Sequence, residues 1–480
     1  NLGGRAQVFE KDGFRHDAGP TVITAPFMFE DLFSLFDEKL SDHLEFVPVS
    51  PWYRFHFPDG SDFDYGDDMA AFEAGMAKYR EADIEGYRRL LDASREIFEV
   101  GFEKLADQPF LKFTDMLKQV PALLRLRSDL TVSQFVKKYI THPYLQQALS
   151  IHPLLVGGNP YDTTSIYALI HYLERKWGVH FCMGGTGKLV IELEKLMRRH
   201  GVAIHTGADV EEIIVSGKKV TGIKCTDGRE MEADLVVCNA DPPTVYREMM
   251  PIGGKSFLRP KKIIPEALTK YSMGLYVLYF GTTRQYPDVA HHTIWLGERF
   301  KGLLNDIFNK QIATDDFSLY LHRPTATDPS FAPEGCDSFY ILCPVPNLQG
   351  NIDWDVYGPE LRDRIVKALS ETIMPDLESH VTADFWMHPG DFEKQYRATH
   401  GAGFSIAPVF RQSAWFRYHN RDPDIGNLYF VGAGTHPGAG LPGVLSSAKA
   451  LEKMIPDQSN LQSQSYSDEL DSDVLAEAGE

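Results

Sequence analysis

The 480-residue chain is short of positive charge, of cysteine and of long apolar runs, and each shortage removes a class of function. Lysine and arginine number 48 against 67 acidic residues, a net charge of −19. A phosphate backbone asks for a basic surface, so a nucleic-acid partner is excluded. The five cysteines, Cys182, Cys225, Cys238, Cys336 and Cys343, are odd in number, widely spaced and form no CxxC pair. That indicates neither a disulfide framework nor a zinc site, so no metal is expected, and a reducing cytoplasmic compartment fits. No apolar run approaches the ~18 residues of a membrane-spanning helix, and mean hydropathy is −0.26. No HExxH, Walker or Ser-His-Asp pattern occurs, which weakens hydrolase and kinase readings. The chain opens on Asn1 with no Met and no signal peptide, and is expected to start inside a longer sequence.

What is present is a 43% hydrophobic composition, enough for a large core and two or more lobes. The most informative stretch lies near the end. Leu428 to Val431 reads as a short strand, Gly432 to Gly443 as a loop holding five glycines, and Val444 to Ile455 as a helix. A helix entered through glycines offers unpaired N–H groups and a positive dipole end, which suits a phosphate or a flavin ring that becomes anionic on reduction. Gly438-Ala-Gly440-Leu-Pro-Gly443 spells GxGxxG. It does not follow the strand directly, and no second strand with a ribose-binding acid follows, so it is not the dinucleotide fingerprint.

The stretch closely resembles the C-terminal flavin-binding signature of carotenoid desaturases, the bacterial phytoene desaturase family among the amine-oxidase-like FAD flavoproteins. The resemblance runs from Gly3 to about Ile455. It implies that Gly432, Gly434, Gly440, Leu441, Pro442 and Val444 line the cofactor. Gly3-Gly4-Arg5-Ala6 resembles the loop that follows the first βαβ unit and packs on the cofactor's phosphate and ribityl region. The GxGxxG unit that precedes it in the family is absent here. Asp17-Ala-Gly19-Pro20-Thr21 resembles the second flavin-facing loop, with Gly19, Pro20 and Thr21 beside the isoalloxazine. By the same resemblance Val210 meets the adenine with its backbone, and Asn239 with Ala240 lies near the pyrophosphate.

The expected architecture is α/β with α+β lobes. A discontinuous Rossmann-like FAD-binding domain takes residues 1–26, 175–241 and 389–455. A helical lid or membrane-associated lobe takes 27–174, with a small antiparallel strand pair between Val49 and Tyr65 around Pro58-Asp59-Gly60. An antiparallel-sheet substrate domain takes 242–388, and an acidic, disordered tail takes 456–480. Within 175–241, Val202 to Ile204 is read as a strand ahead of a β-meander. Adjacent His291 and His292 are expected on opposite faces of a strand, unable to chelate together.

The resemblance implies FAD-dependent desaturation of phytoene, a polyene with no polar handle, by repeated loss of an allylic hydride and a neighbouring proton towards neurosporene or lycopene. Oxygen or a quinone would take up the electrons. The segment Pro109 to Arg127 interleaves bulky apolar residues with Lys112, Lys118, Arg125 and Arg127. It reads either as an amphipathic helix packed on the core or as a peripheral membrane contact through which a water-insoluble substrate enters. Asp115 within it is the candidate catalytic carboxylate, the competing reading being an ion-pair partner of Lys112 or Lys118. Other readings within the fold are a later desaturase, an isomerase or a ketolase, or a lipid- or prenyl-binding protein without catalysis.

Overall fold

The computed structural model describes residues 2–250 and 268–455, so the acidic tail at 456–480 lies outside the described residues. Its largest sheet has seven strands in the order Val381–Met387, Gly274–Thr282, Asp337–Val345, Leu319–His322, His292–Trp295, Tyr53–His56, Asp62–Tyr65. Neighbours run antiparallel except His292–Trp295 beside Tyr53–His56, which are parallel. The strand pair expected within the 27–174 lobe is therefore the far edge of this sheet. The turn at Pro58-Asp59-Gly60 was legible, with Gly60 at φ 80°; its distant partner was not.

The central strand Gly274–Thr282 is buried along its whole length and pairs on both sides. Its side chains divide by the period of two. Tyr276, Leu278 and Phe280 pack with Phe339 and Ile341 against Leu361, Ile365 and Leu369 of the helix Trp354–Glu371. Leu275, Val277 and Tyr279 face the other way, and Leu275 and Val277 reach the wall of a large cavity. One strand thus holds the sheet to its helix and roofs the site.

Opposite that roof, the helices Ala82–Gly101 and Leu169–Trp177 pack together. Tyr87, Leu90 and Ile97 are buried there in a core shared with the aromatic strand pair. Asp83 ties this layer to the next by accepting hydrogen bonds from the backbone N–H groups of Thr141 (3.0 Å) and His142 (2.8 Å).

The remaining elements surround the glycine loops. Val8–Lys11 and Phe14–Asp17 form a hairpin. The helix Gly185–Arg199 crosses it at Gly187, where a Cβ would stand 2.5 Å from Val8 Cγ2. An antiparallel meander follows, Val210–Ser216, Lys219–Cys225 and Glu230–Glu232. Val202 to Ile204, expected as strand, takes no place in a sheet; Gly201 and Gly207 turn the chain on either side at positive φ. Val236–Cys238 pairs in parallel with Leu428–Phe430, and the glycine loop leads from that strand into the helix Leu441–Glu452.

Candidate functional site

A single cavity of about 1400 Å³ joins the glycine loops to the apolar walls of both lobes. That exceeds the roughly 300–1,000 Å³ of an ordinary small-molecule pocket. At one end it is lined by Gly3, Gly4, Arg5, Gly19, Pro20, Thr21, Asn239, Ala240, Gly440, Leu441, Pro442 and Val444. Elsewhere its walls are aliphatic and aromatic, among them Ile97, Leu123, Leu154, Tyr167, Leu275 and Phe300.

Backbone geometry explains the glycines. Gly3 and Gly4 have φ of 93° and 52°, and Gly440, which precedes the helix, has φ 94°. A Cβ on Gly19 would stand 1.9 Å from the carbonyl oxygen of Arg5, so only glycine lets the two loops lie together. Between them they form a cradle open to a flat, phosphate-bearing ligand, with the start of the helix Leu441–Glu452 at its edge. This donor set fits FAD.

Three expected contacts fall one layer behind the wall. Gly432 and Gly434 do not reach the cavity; a Cβ on them would stand 2.1 Å from Asn239 Oδ1 and 2.3 Å from Pro242 Cδ. They let the Leu428–Phe430 strand lie close enough to present Asn239. Val210 is also behind the wall, because its carbonyl accepts a hydrogen bond from Arg397 Nη1 (3.0 Å), and Arg397 with Asp209 takes the surface.

Polar side chains hold the loops, and two of them, Arg417 and Asn420, belong to no motif singled out in the sequence. Arg417 is fully buried and donates to the carbonyls of Thr435 (2.9 Å), Ala433 (2.6 Å), Ile406 (3.2 Å) and Gln412 (3.3 Å). Asn420 Nδ2 donates to the carbonyl of His436 (2.9 Å). Arg5 donates to the carbonyls of Gly403 and Ala402. Thr21 Oγ1 is bonded to the hydroxyls of Tyr320 (3.0 Å) and Tyr340 (3.3 Å), which fixes the second loop to the sheet.

Asp115 is not on the cavity wall. It is the third residue of the helix Phe113–Arg125, where its Oδ2 accepts from the Lys112 backbone N–H (3.3 Å) at the helix start. Its Oδ1 meets Lys118 Nζ at 3.5 Å, and the side chain is 36% exposed. The ion-pair reading therefore describes it, and the catalytic assignment is corrected. The helix turns Met116, Gln119 and Leu123 to the cavity instead. Its other stripe, Phe113, Leu117, Val120 and Leu124, is exposed, as are nearby Leu111 and Phe410.

A different carboxylate lies on the cavity wall, fully buried. Glu174 accepts hydrogen bonds from Tyr53 Oη (2.8 Å) on Oε1 and bonds His152 Nε2 (2.9 Å) through Oε2. Burial and the neighbouring Glu174 push the Tyr53 hydroxyl well above its ordinary pKa, so it stays a donor. Nothing in the sequence around Leu173-Glu174-Arg175 marks this residue, since its partners come from elsewhere in the chain.

The two adjacent histidines also depart from expectation. His291 precedes the strand His292–Trp295, so strand alternation does not apply to it, and the two rings lie with centroids 4.5 Å apart. His322 joins them at 4.9 and 5.4 Å.

Comparison with known proteins follows this geometry. The family model described as flavin containing amine oxidoreductase matches residues 1–450. A lycopene-forming phytoene desaturase of Pseudescherichia vulneris is 47% identical over 460 residues, covering 94% of this chain and 92% of that protein. A neurosporene-forming phytoene desaturase of Rhodobacter capsulatus is 38% identical, covering 95% and 87%. Among solved structures, cyclohexylamine oxidase from Brevibacterium oxydans superposes with a TM-score of 0.54 at 13% identity, covering 95% and 91%. A Rab GDI from Plasmodium falciparum gives 0.51 at 10% identity, covering 94% and 85%. At such identities the likeness concerns the fold alone.

Proposed function

Since the chain belongs to the flavin containing amine oxidoreductase family, we propose that it is an FAD-dependent phytoene desaturase that extends conjugation towards neurosporene or lycopene. The observation that carries this reading is the continuity of one cavity from the glycine cradle to long apolar walls. A C40 hydrocarbon offers no hydrogen-bonding group, so its affinity must come from apolar burial, and walls such as Leu123, Leu154, Leu275 and Phe300 supply it.

Bound FAD supplies the acceptor for an allylic hydride, and oxygen or a quinone takes the electrons onward. The residues of the chain do the rest. Gly3, Gly4, Gly19 and Gly440 admit the cofactor's phosphates and ring, and Thr21, held by Tyr320 and Tyr340, sets the ring's neighbour loop. Hydride loss builds positive charge on the polyene. Glu174, whose two oxygens are hydrogen-bonded to Tyr53 and His152 in an apolar wall, stabilises that charge or takes the proton from the adjacent carbon in this reading.

Substrate reaches the site from a membrane surface. The helix Phe113–Arg125 turns one stripe to the cavity and leaves four large apolar residues exposed, with Lys112, Lys118 and Arg125 able to extend to head groups. No described helix is long and apolar enough to cross a membrane; in this reading the attachment is peripheral, on the cytoplasmic side.

The test is incubation of the full-length protein with FAD and phytoene in liposomes, with an electron acceptor, followed by the visible absorption of the extracted pigment. Long-wavelength polyene bands are expected, and their position counts the steps. Bound flavin with colourless, unchanged phytoene would move the substrate to a later carotenoid enzyme, and a protein that holds lipid but no flavin would be a carrier.

A further inference from the structure

Behind the second loop the buried rings of His291, His292 and His322 cluster, with the buried carboxylate of Asp17 beside His322. His292 and His322 are 0% exposed, Asp17 1% and His291 5%. One ring nitrogen from each histidine lies within 4.8 Å of the others. His291 Nε2, His292 Nε2, both ring nitrogens of His322, and Asp17 Oδ2 have no hydrogen-bond partner. Asp17 Oδ2 is 3.6 Å from His322 Nε2.

The opposite atoms are all engaged, in the pattern that orients metal ligands. His291 Nδ1 bonds Thr327 Oγ1 (2.6 Å), and His292 Nδ1 bonds the Tyr320 hydroxyl (2.8 Å). A hydroxyl oxygen can accept from a protonated Nδ1, which leaves each Nε2 lone pair facing the cluster. Asp17 Oδ1 accepts from the Thr186 backbone N–H and hydroxyl, both at 2.9 Å, which leaves Oδ2 for the cluster.

We propose that His291, His292 and His322, with Asp17 as a fourth ligand, form a binding site for a divalent first-row transition cation, zinc by its donor set. Three imidazoles and one carboxylate satisfy a tetrahedral ion. Such ligands stand ~3.3 Å apart on bonds of ~2.0 Å, so binding draws the rings together by small side-chain rotations. The charge balance agrees. Asp17 Oδ2 is buried without a hydrogen-bond partner, which is costly for a carboxylate oxygen. A cation compensates it.

The site is structural in its effect. Asp17 lies two residues before Gly19, and its other oxygen holds the start of the helix Gly185–Arg199. His292 reaches Thr21 through Tyr320. An ion here fastens the flavin-facing loop to the sheet and the helix at once, and acts as a positioning element with no redox part.

The test uses the FAD-loaded full-length protein, stripped with a chelator, incubated with zinc chloride, desalted, and analysed for metal by mass spectrometry. About one zinc per chain is expected, with a rise in Tm on zinc addition. His322→Gln and His291→Gln should each lower retained zinc by more than about tenfold and abolish the Tm rise. Retained flavin absorbance verifies that each variant is folded. Wild-type protein that retains flavin but no zinc overturns the proposal, as does a His291→Gln/His322→Gln double variant that keeps its zinc. Metal content is read whether or not phytoene is converted, so this result stands apart from the desaturase reading.

Discussion

Replacing Leu117 and Leu124 by glutamine should detach the protein from membranes without unfolding it. Both project from the exposed stripe of the helix Phe113–Arg125, 51% and 60% exposed. Full burial of a leucine side chain is worth roughly 1.5–3 kcal/mol, so sinking the exposed half of each into an interface contributes about 1 kcal/mol per residue. The double variant forfeits about 2 kcal/mol, which is about a 30-fold loss of partitioning at ~1.4 kcal/mol per factor of ten. Folding stability should barely move, because these side chains face away from the core and Met116 and Leu123 carry the packing. Co-sedimentation with liposomes across a lipid titration measures the partition coefficient, and thermal melting checks the fold. A double variant that pellets with vesicles as the parent does would refute the interfacial role of this helix. Desaturation should fall with binding when phytoene is supplied in liposomes.

Four further outcomes follow from the geometry. Gly19→Ala would place a Cβ 1.9 Å from the Arg5 carbonyl oxygen, so the two loops must part, and the purified protein should lose its flavin absorbance. Glu174→Gln should lower desaturation by about 10²-fold with FAD content unchanged, the scale of one preorganised electrostatic contact at a developing charge. Asp115→Ala should leave turnover unchanged and cost at most about 1 kcal/mol of stability, since only a partly exposed cap and ion pair are lost. Burial pulls the His436 imidazole down to about 4, with the Leu105 carbonyl opposing. Its folded pKa lies below the unfolded value of ~6.5, so its contribution is intact above that and is lost as pH falls towards 4, about 2 kcal/mol by pH 5. His436→Asn should flatten the fall of Tm between pH 7 and 5.

Glycine was the most readable residue in the chain, because its use follows local sterics. Gly3, Gly4, Gly19 and Gly440 line the cavity. Gly432 and Gly434 carry the same signature but serve the packing of Asn239 and Pro242, a distinction that only the third dimension makes. The strands of the sheet could be read from their aromatic and β-branched runs, yet the parallel pairing of His292–Trp295 with Tyr53–His56 spans more than 200 residues and leaves no local trace. Asp115 illustrates a signal present and misweighed: an acid in the first turn of a helix, three residues before Lys118, has the spacing of a surface ion pair. Glu174 left no signal, since its partner Tyr53 is distant in sequence, and Arg417 left none because its partners are backbone carbonyls, which no residue type marks. His291 shows how one residue of uncertainty at a strand end reverses which side chains meet.

The central claim is that flavin and polyene share one cavity and exchange hydrogen there. It is tested most directly by mixing the FAD-loaded full-length protein with phytoene in liposomes without oxygen or added acceptor, and following flavin and polyene absorption together. Bleaching of the flavin matched by a stoichiometric gain of desaturated product is the expected result. Flavin that stays oxidised beside unchanged phytoene, while the same protein pellets with the liposomes, would contradict it.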